Sequence, residues 1–230
     1  MELSVIVLIG FYVVVLVYSI ILHEIAHGWV ALWLGDATAK YSGRLTFNPL
    51  KHIDPWGSIV VPLIMMLATG FAFGWAKPVP YNPYNLKDQK WGPALVALGG
   101  PISNIIMALI FASIAHFISI PLSVKHALIV NFNNWNTISP LIAGSFASIV
   151  YEISIMAVFW NVLLAFFNLI PFPPLDGSKI LFTFFPMRIE TMAMIEQYGF
   201  MILLFFIFIF SGPMGTFLNF MLNLFFGLAL

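Results

Sequence analysis

The sequence predicts an all-α polytopic membrane protein with about five to six transmembrane helices. Three observations carry this. Of 230 residues, 61% are hydrophobic and 8% charged, too few charges to cover the surface of a soluble domain of this size. Apolar runs at 3–34, 57–74, 92–118, 143–170 and 192–211 are each close to or above the roughly 20 residues that a spanning helix needs, and a shorter run follows at 214–230. The stretches between the runs are rich in Pro, Asn and Gly, as connections are.

Taken in order, the 3–34 run lacks a basic start and a small-residue cleavage site and is too long for a removable leader, so it reads as a retained helix. The polar stretch after it, GDATAKYSGRLTFNPLKHIDPWGS, contains turn formers and a short segment near 43–50 that reads as extended. The 57–74 run has Gly57, Pro62 and Gly70 in it and reads as re-entrant or spanning. WAKPVPYNPYNLKDQKWG is an irregular loop, and NFNNWN marks another before the 143–170 helix. Beyond that helix, the prolines of PFPPLDG end helical structure. The whole, 1–230, reads as one domain without repeats.

Composition also narrows function. Zero cysteines exclude disulfides and thiolate metal ligands, so a metal here must use His, Asp or Glu. Nine basic residues balance nine acidic ones, with no basic stripe for nucleic acid.

The chemistry concentrates in HEIAH. His23 and His27 are four apart, so a helix projects both imidazoles from one face, a spacing that suits a single zinc ion. Glu24 adjoins the first of them and is placed to act as a general base on water. These groups fall in the second half of an apolar helix, where ionisable side chains cost a few kcal/mol each and are functional by default. A catalytic zinc takes three protein ligands and keeps one position open. Among the other acids, Asp176 stands apart because it follows a long apolar helix at once, with prolines and Gly177 allowing a bent backbone; taken alone, it reads rather as an ordinary helix-end cap. His52, His116 and His126 lack partners at ligand spacing.

HEIAH, GGPISN at 99–104 and NLIPFPPLDG at 168–177, in that order, resemble the site-2 protease family of intramembrane zinc metalloproteases, in the compact prokaryotic form without a PDZ domain. The resemblance implies one Zn2+ per chain on His23, His27 and Asp176, with Glu24 as catalytic base. It implies membrane-protein substrates cut in or near a transmembrane helix within the bilayer, in a prokaryotic cell membrane. Asn168 matches the family's asparagine near the active site and would hold the substrate backbone or the oxyanion; a helix-to-helix hydrogen bond is the other reading. Asn104 reads as packing or as support for a ligand. An ion transporter or a proteolytically silent relative are the rival functions. Oligomeric state is not legible.

One departure bears on topology. The family core has one spanning helix between the HExxH and LDG helices, whereas two apolar runs intervene here. The ligands share a membrane side only if 57–74 dips and returns. With a dip, Lys40, Arg44, Lys51, Lys77, Lys87, Lys90, Lys179 and Arg188 lie on one side and Lys125 on the other, which makes the active-site side cytoplasmic.

Overall fold

The structure is a computed structural model, and it describes residues 3–69, 74, 76–132, 134–185 and 189–230. Arg188 and residues 70–73 of the 57–74 run lie outside the described residues. The described residues form helices and connections with no sheet: α1 (Leu3–Trp33), α2 (Thr38–Tyr41), α3 (Val61–Thr69), α4 (Gly92–Phe117), α5 (Leu122–Val130), α6 (Trp135–Ile142), α7 (Phe146–Asn168), α8 (Gly177–Phe184) and α9 (Ile189–Ala229).

Among the described residues four helices, not five or six, are long and apolar enough to cross a membrane, within α1, α4, α7 and α9. The reduction has two causes. The 192–211 and 214–230 runs make up the two helical parts of α9, which follow one another without a loop and meet at a kink at Phe210 (φ −104°, ψ 15°). Pro213 explains the break, since a proline ring collides with the carbonyl four residues back, here that of Ile209. Among the described residues, the 57–74 run forms a π-helical turn at Pro55–Val60 and then the nine residues of α3. Its two ends come together: a Cβ added at Gly74 would lie 2.5 Å from the carbonyl oxygen of Gly57 and from Pro62 Cγ.

The 43–50 segment is not a strand. It runs through turns and bends, with Gly43 at φ 61°, into a 3-10 helix at Pro49–Lys51 that Asn48 caps through its side chain. The 76–81 segment is neither helix nor turn, and Pro78 and Pro80 restrict the residues before them to extended conformations. Lys77 N–H donates to His52 O at 2.9 Å, and Arg44 Nη2 donates to Lys77 O, so this segment is tied across the 44–52 loop.

Helix α7 is the most buried of the four spans and α9 the least. Against α7 residues Tyr151, Ile155, Val158 and Val162, helix α4 sets Ala108, Ala112 and Ala115, all in one buried cluster. Small residues at this spacing let two helix backbones approach closely, which is how apolar helices associate where lipid removes the hydrophobic drive between them. The outward faces carry large exposed apolar side chains, among them Phe11, Leu109, Phe205 and Phe208, as lipid contact requires.

A hydrogen bond from Lys87 N–H to Leu34 O, 2.9 Å, joins the end of α1 to the approach to α4. Asp36 is fully buried at this junction, accepting from Thr38 N–H, Thr38 Oγ1, Asn82 N–H and Asn85 Nδ2.

Candidate metal centre

His23 and His27 project from one face of α1 with ring centroids 4.6 Å apart. Asp176, 149 positions after His27, meets both: its Oδ2 lies 3.1 Å from His23 Nε2 and 3.3 Å from His27 Nε2. One ligand atom from each of the three residues lies within 4.8 Å of the others.

Three local features produce this convergence. Helix α7 ends at Asn168, and Gly177 packs directly on that end, where a Cβ would lie 2.5 Å from Ile170 O and still nearer Leu169 O. Only glycine permits this return, and it brings the adjacent Asp176 back toward α1. On the opposite side α4 presents Gly99 and Gly100. A Cβ on Gly100 would stand 2.6 Å from His23 Nε2 and closer still to His27 Nε2. Glycine therefore keeps open the space beside both Nε2 atoms.

The far side of each imidazole is occupied. His23 Nδ1 lies 2.5 Å from Asn104 Oδ1. His27 Nδ1 lies 2.7 Å from Val96 O, with Gly100 N–H further off at 3.3 Å, so the nearer carbonyl takes the ring proton. With Nδ1 donating in each ring, the Nε2 lone pairs face each other and Asp176, and such outer hydrogen bonds are what orient metal-ligating histidines. Burial pushes the Asp176 carboxyl up, but when the two rings carry a proton on Nε2 as well, their hydrogen bonds and charge outweigh it and hold the group at about 2; with the Nε2 lone pairs free, a bound cation takes over that role. The anion is thus secured at neutral pH. Two imidazoles, a carboxylate and a Cβ-free space beside them fit a zinc ion, and the absence of thiolates does not disturb that fit.

Glu24 reaches sideways: its Oε2 accepts Val79 N–H at 2.8 Å, so the 76–81 segment passes over the site. Asn168 turns its amide back to Leu164 O, 2.9 Å away in its own helix. Asn104 is fully buried and contacts His23 directly. Sequence reasoning did not find Asn161 and Ser19, which hydrogen-bond in the same buried group, or Val79. Polar side chains within apolar spans were the available signal for the first two.

The chain matches the model of peptidase family M50 over residues 11–210. It is 35% identical over 211 residues to YwhC of Bacillus subtilis, covering 91% of this chain and 84% of that one. It is 27% identical over 185 residues to Rip2 of Mycolicibacterium smegmatis, covering 80% of this chain and 61% of the relative. Both relatives carry names that give zinc metalloprotease as an inferred activity. No solved structure matches. With the family model spanning most of its length and a His-His-Asp cluster at the expected motifs, the chain belongs to peptidase family M50, the site-2 type of membrane zinc metalloprotease.

Proposed function

We propose that this chain, 1–230 acting as one catalytic unit, hydrolyses peptide bonds in or near transmembrane segments of membrane-protein substrates, with one Zn2+ held by His23, His27 and Asp176 and with Glu24 as general base. The observation that carries the reading is the meeting of the three ligand atoms within 4.8 Å, at one end of a bundle of lipid-facing helices.

Zinc bound there supplies a Lewis acid that polarises the scissile carbonyl and acidifies a water. Glu24 takes the proton from the attacking water and delivers it to the leaving nitrogen. Val79 N–H holds one carboxylate oxygen of Glu24 and thereby orients the base. Asn168 serves the substrate backbone after exchanging its bond to Leu164 for the substrate's carbonyl.

The 57–74 run dips and returns. A span of 18 residues in helix would separate its ends by about 27 Å. The approach of Gly74 to Gly57 and the bond from Lys87 to Leu34 both favour return to the side of departure. The site end then carries Lys40, Lys51, Lys87, Lys90 and Lys179, and the positive-inside rule puts it toward the cytoplasm. Lys125 weakens the rule little at the far end, because it is buried and its ammonium binds Ala115 O and His116 O at the end of α4.

The deciding experiment incubates the purified chain with zinc and a transmembrane peptide, beside the Glu24→Gln variant. Cleavage by the wild type alone supports the assignment. Equal cleavage by both sinks the base, and zinc binding without cleavage of any membrane substrate favours a proteolytically silent relative.

A further inference from the structure

The hydrogen bond that His23 makes away from the site continues into a buried chain across three helices. Asn104 Nδ2 donates to Asn161 Oδ1 at 2.7 Å and to Ser19 O at 3.2 Å. Asn161 Nδ2 donates to Ala157 O at 2.8 Å and to Ser19 Oγ at 2.9 Å. Ser19 Oγ in turn donates to Val15 O at 2.8 Å. Ser19, Asn104 and Asn161 are 3%, 0% and 1% exposed, so water does not substitute for any partner.

A chain of amides reads equally in either direction unless one end is fixed. Here backbone carbonyls fix it, because they only accept. The end of Asn161 that faces Ala157 O must be its NH2, so its oxygen faces Asn104. The end of Asn104 that faces both that oxygen and Ser19 O must then be NH2, which turns the Asn104 oxygen to His23 Nδ1. An oxygen there demands a proton on Nδ1.

We propose that Asn161 and Ser19 are positioning residues that dictate the tautomer of His23, keeping the proton on Nδ1 and the Nε2 lone pair turned to the space shared with His27 and Asp176. The proposal rests on the reading of His23 as a metal ligand. Its physical content is the exclusion of one state. If Asn104 turned over, its NH2 would face His23 Nδ1 and drive the proton to Nε2, the atom 3.1 Å from Asp176 Oδ2. That tautomer satisfies Asp176 and cannot hold a metal. Turning Asn104 over would set its oxygen against Asn161 Oδ1 and Ser19 O, two contacts between acceptors with no donor between them. His27 reaches the same protonation through Val96 O alone. His23 Nδ1 meets a side-chain oxygen instead of a backbone carbonyl, and the bonds of Asn104 to Asn161 and to Ser19 O fix which end of that amide it meets.

The test uses the full chain in lipid nanodiscs, with 15N-labelled histidine, metal-free and in alkaline buffer that keeps the imidazole neutral. Wild-type His23 is expected as the Nδ1–H tautomer, and an Nε2–H tautomer overturns the proposal. Asn161→Leu, which removes the acceptor for Asn104, is expected to mix the two tautomers and weaken zinc binding, read by chelator competition, about 10- to 100-fold. Asn161→Ser, whose hydroxyl both accepts and donates, recovers part of that loss. Should Asn161→Leu fail to fold, Ser19→Ala moves the same two readouts in the same direction by a few-fold. A variant less heat-stable than wild type yet with unchanged tautomer and zinc affinity identifies packing alone and overturns the proposal. A wild type that binds no zinc sinks the metal reading, while the tautomer, measured without metal, still decides the network.

Discussion

Val79 N–H donates to Glu24 Oε2 at 2.8 Å, which places the segment of Pro78 and Pro80 directly on the carboxylate beside the metal ligands. Lys77 in the same segment is held as well, its N–H by His52 O and its O by Arg44. The Glu24 carboxylate, the proposed base, is therefore oriented by a strap that the protein has pinned at a second point.

Removing that single N–H tests the strap. Val79→Pro deletes the donor while keeping the proline-bounded extended backbone. A hydrogen bond to a charged acceptor contributes about 1.5–3 kcal/mol, so kcat on a transmembrane peptide is expected to fall roughly 10- to 100-fold. Zinc content should stay at one per chain. A variant with wild-type kcat would show that Glu24 needs no such support.

Gly100 is the second position where one atom decides. Gly100→Ala puts a methyl group into the space beside His23 Nε2 and His27 Nε2, so zinc affinity is expected to drop by at least about tenfold, comparable to the loss of an outer hydrogen bond to a ligand. Chelator competition measures it. Full affinity in the alanine variant would mean that the metal is not bound beside those two atoms.

Acid sensitivity should trace in part to Asp36. Burial pushes its carboxyl up, but hydrogen bonds from Thr38, Asn85 and Asn82 outweigh this and lower it below its usual value of 3.8. A carboxyl lowered on folding stabilises the fold fully above the unfolded value, and that contribution fades as pH falls through the folded one. The wild-type Tm should accordingly drop below pH of about 4, and Asp36→Asn should flatten that part of the profile. At neutral pH Asp36→Ala should cost about 2–3 kcal/mol, since it leaves buried donors unpaired. Identical acid profiles for wild type and Asp36→Asn would remove Asp36 from the account.

The proposed dip of 57–74 can be mapped directly because the chain has no cysteine. Single cysteines at Lys51 and Lys87 should react with a membrane-impermeant thiol reagent from the same side, the cytoplasmic one, and a cysteine at Asn131 from the other. Labelling of positions 51 and 87 from opposite sides would make the run a full span and contradict the bond between Lys87 and Leu34.

How much of this was legible in the sequence follows the range of each interaction. The pairing of His23 with His27 is local, set by the pitch of one helix, and HEIAH displays it. The long helices α1, α4 and α7 are equally local, since apolar length is a property of each segment, whereas the joining of 192–211 and 214–230 in α9 was not read from it. The 43–50 segment misled because alternation over a few residues does not outweigh the turns around Gly43 and the cap at Asn48. Asn161 and Asn168 show the limit most plainly. They sit seven residues apart, two turns, and so share a face of α7, and motif matching selects Asn168. Depth separates them: Asn161 lies level with Ser19 and Asn104 and is enclosed by them, whereas Asn168 is half-buried and bonds within its own helix.

The sequence by itself determined the membrane class, the two imidazoles with their adjacent carboxylate, and the identity of Asp176 as a candidate third ligand. Tertiary structure alone decided that Asp176 meets them, that Gly100 leaves room between them, and that buried amides running back to Ala157 and Ser19 orient His23. The physical reason is that a helix specifies the direction of its side chains every 3.6 residues, while what those side chains face depends on how neighbouring helices align in depth, a relation that no contiguous stretch of chain encodes.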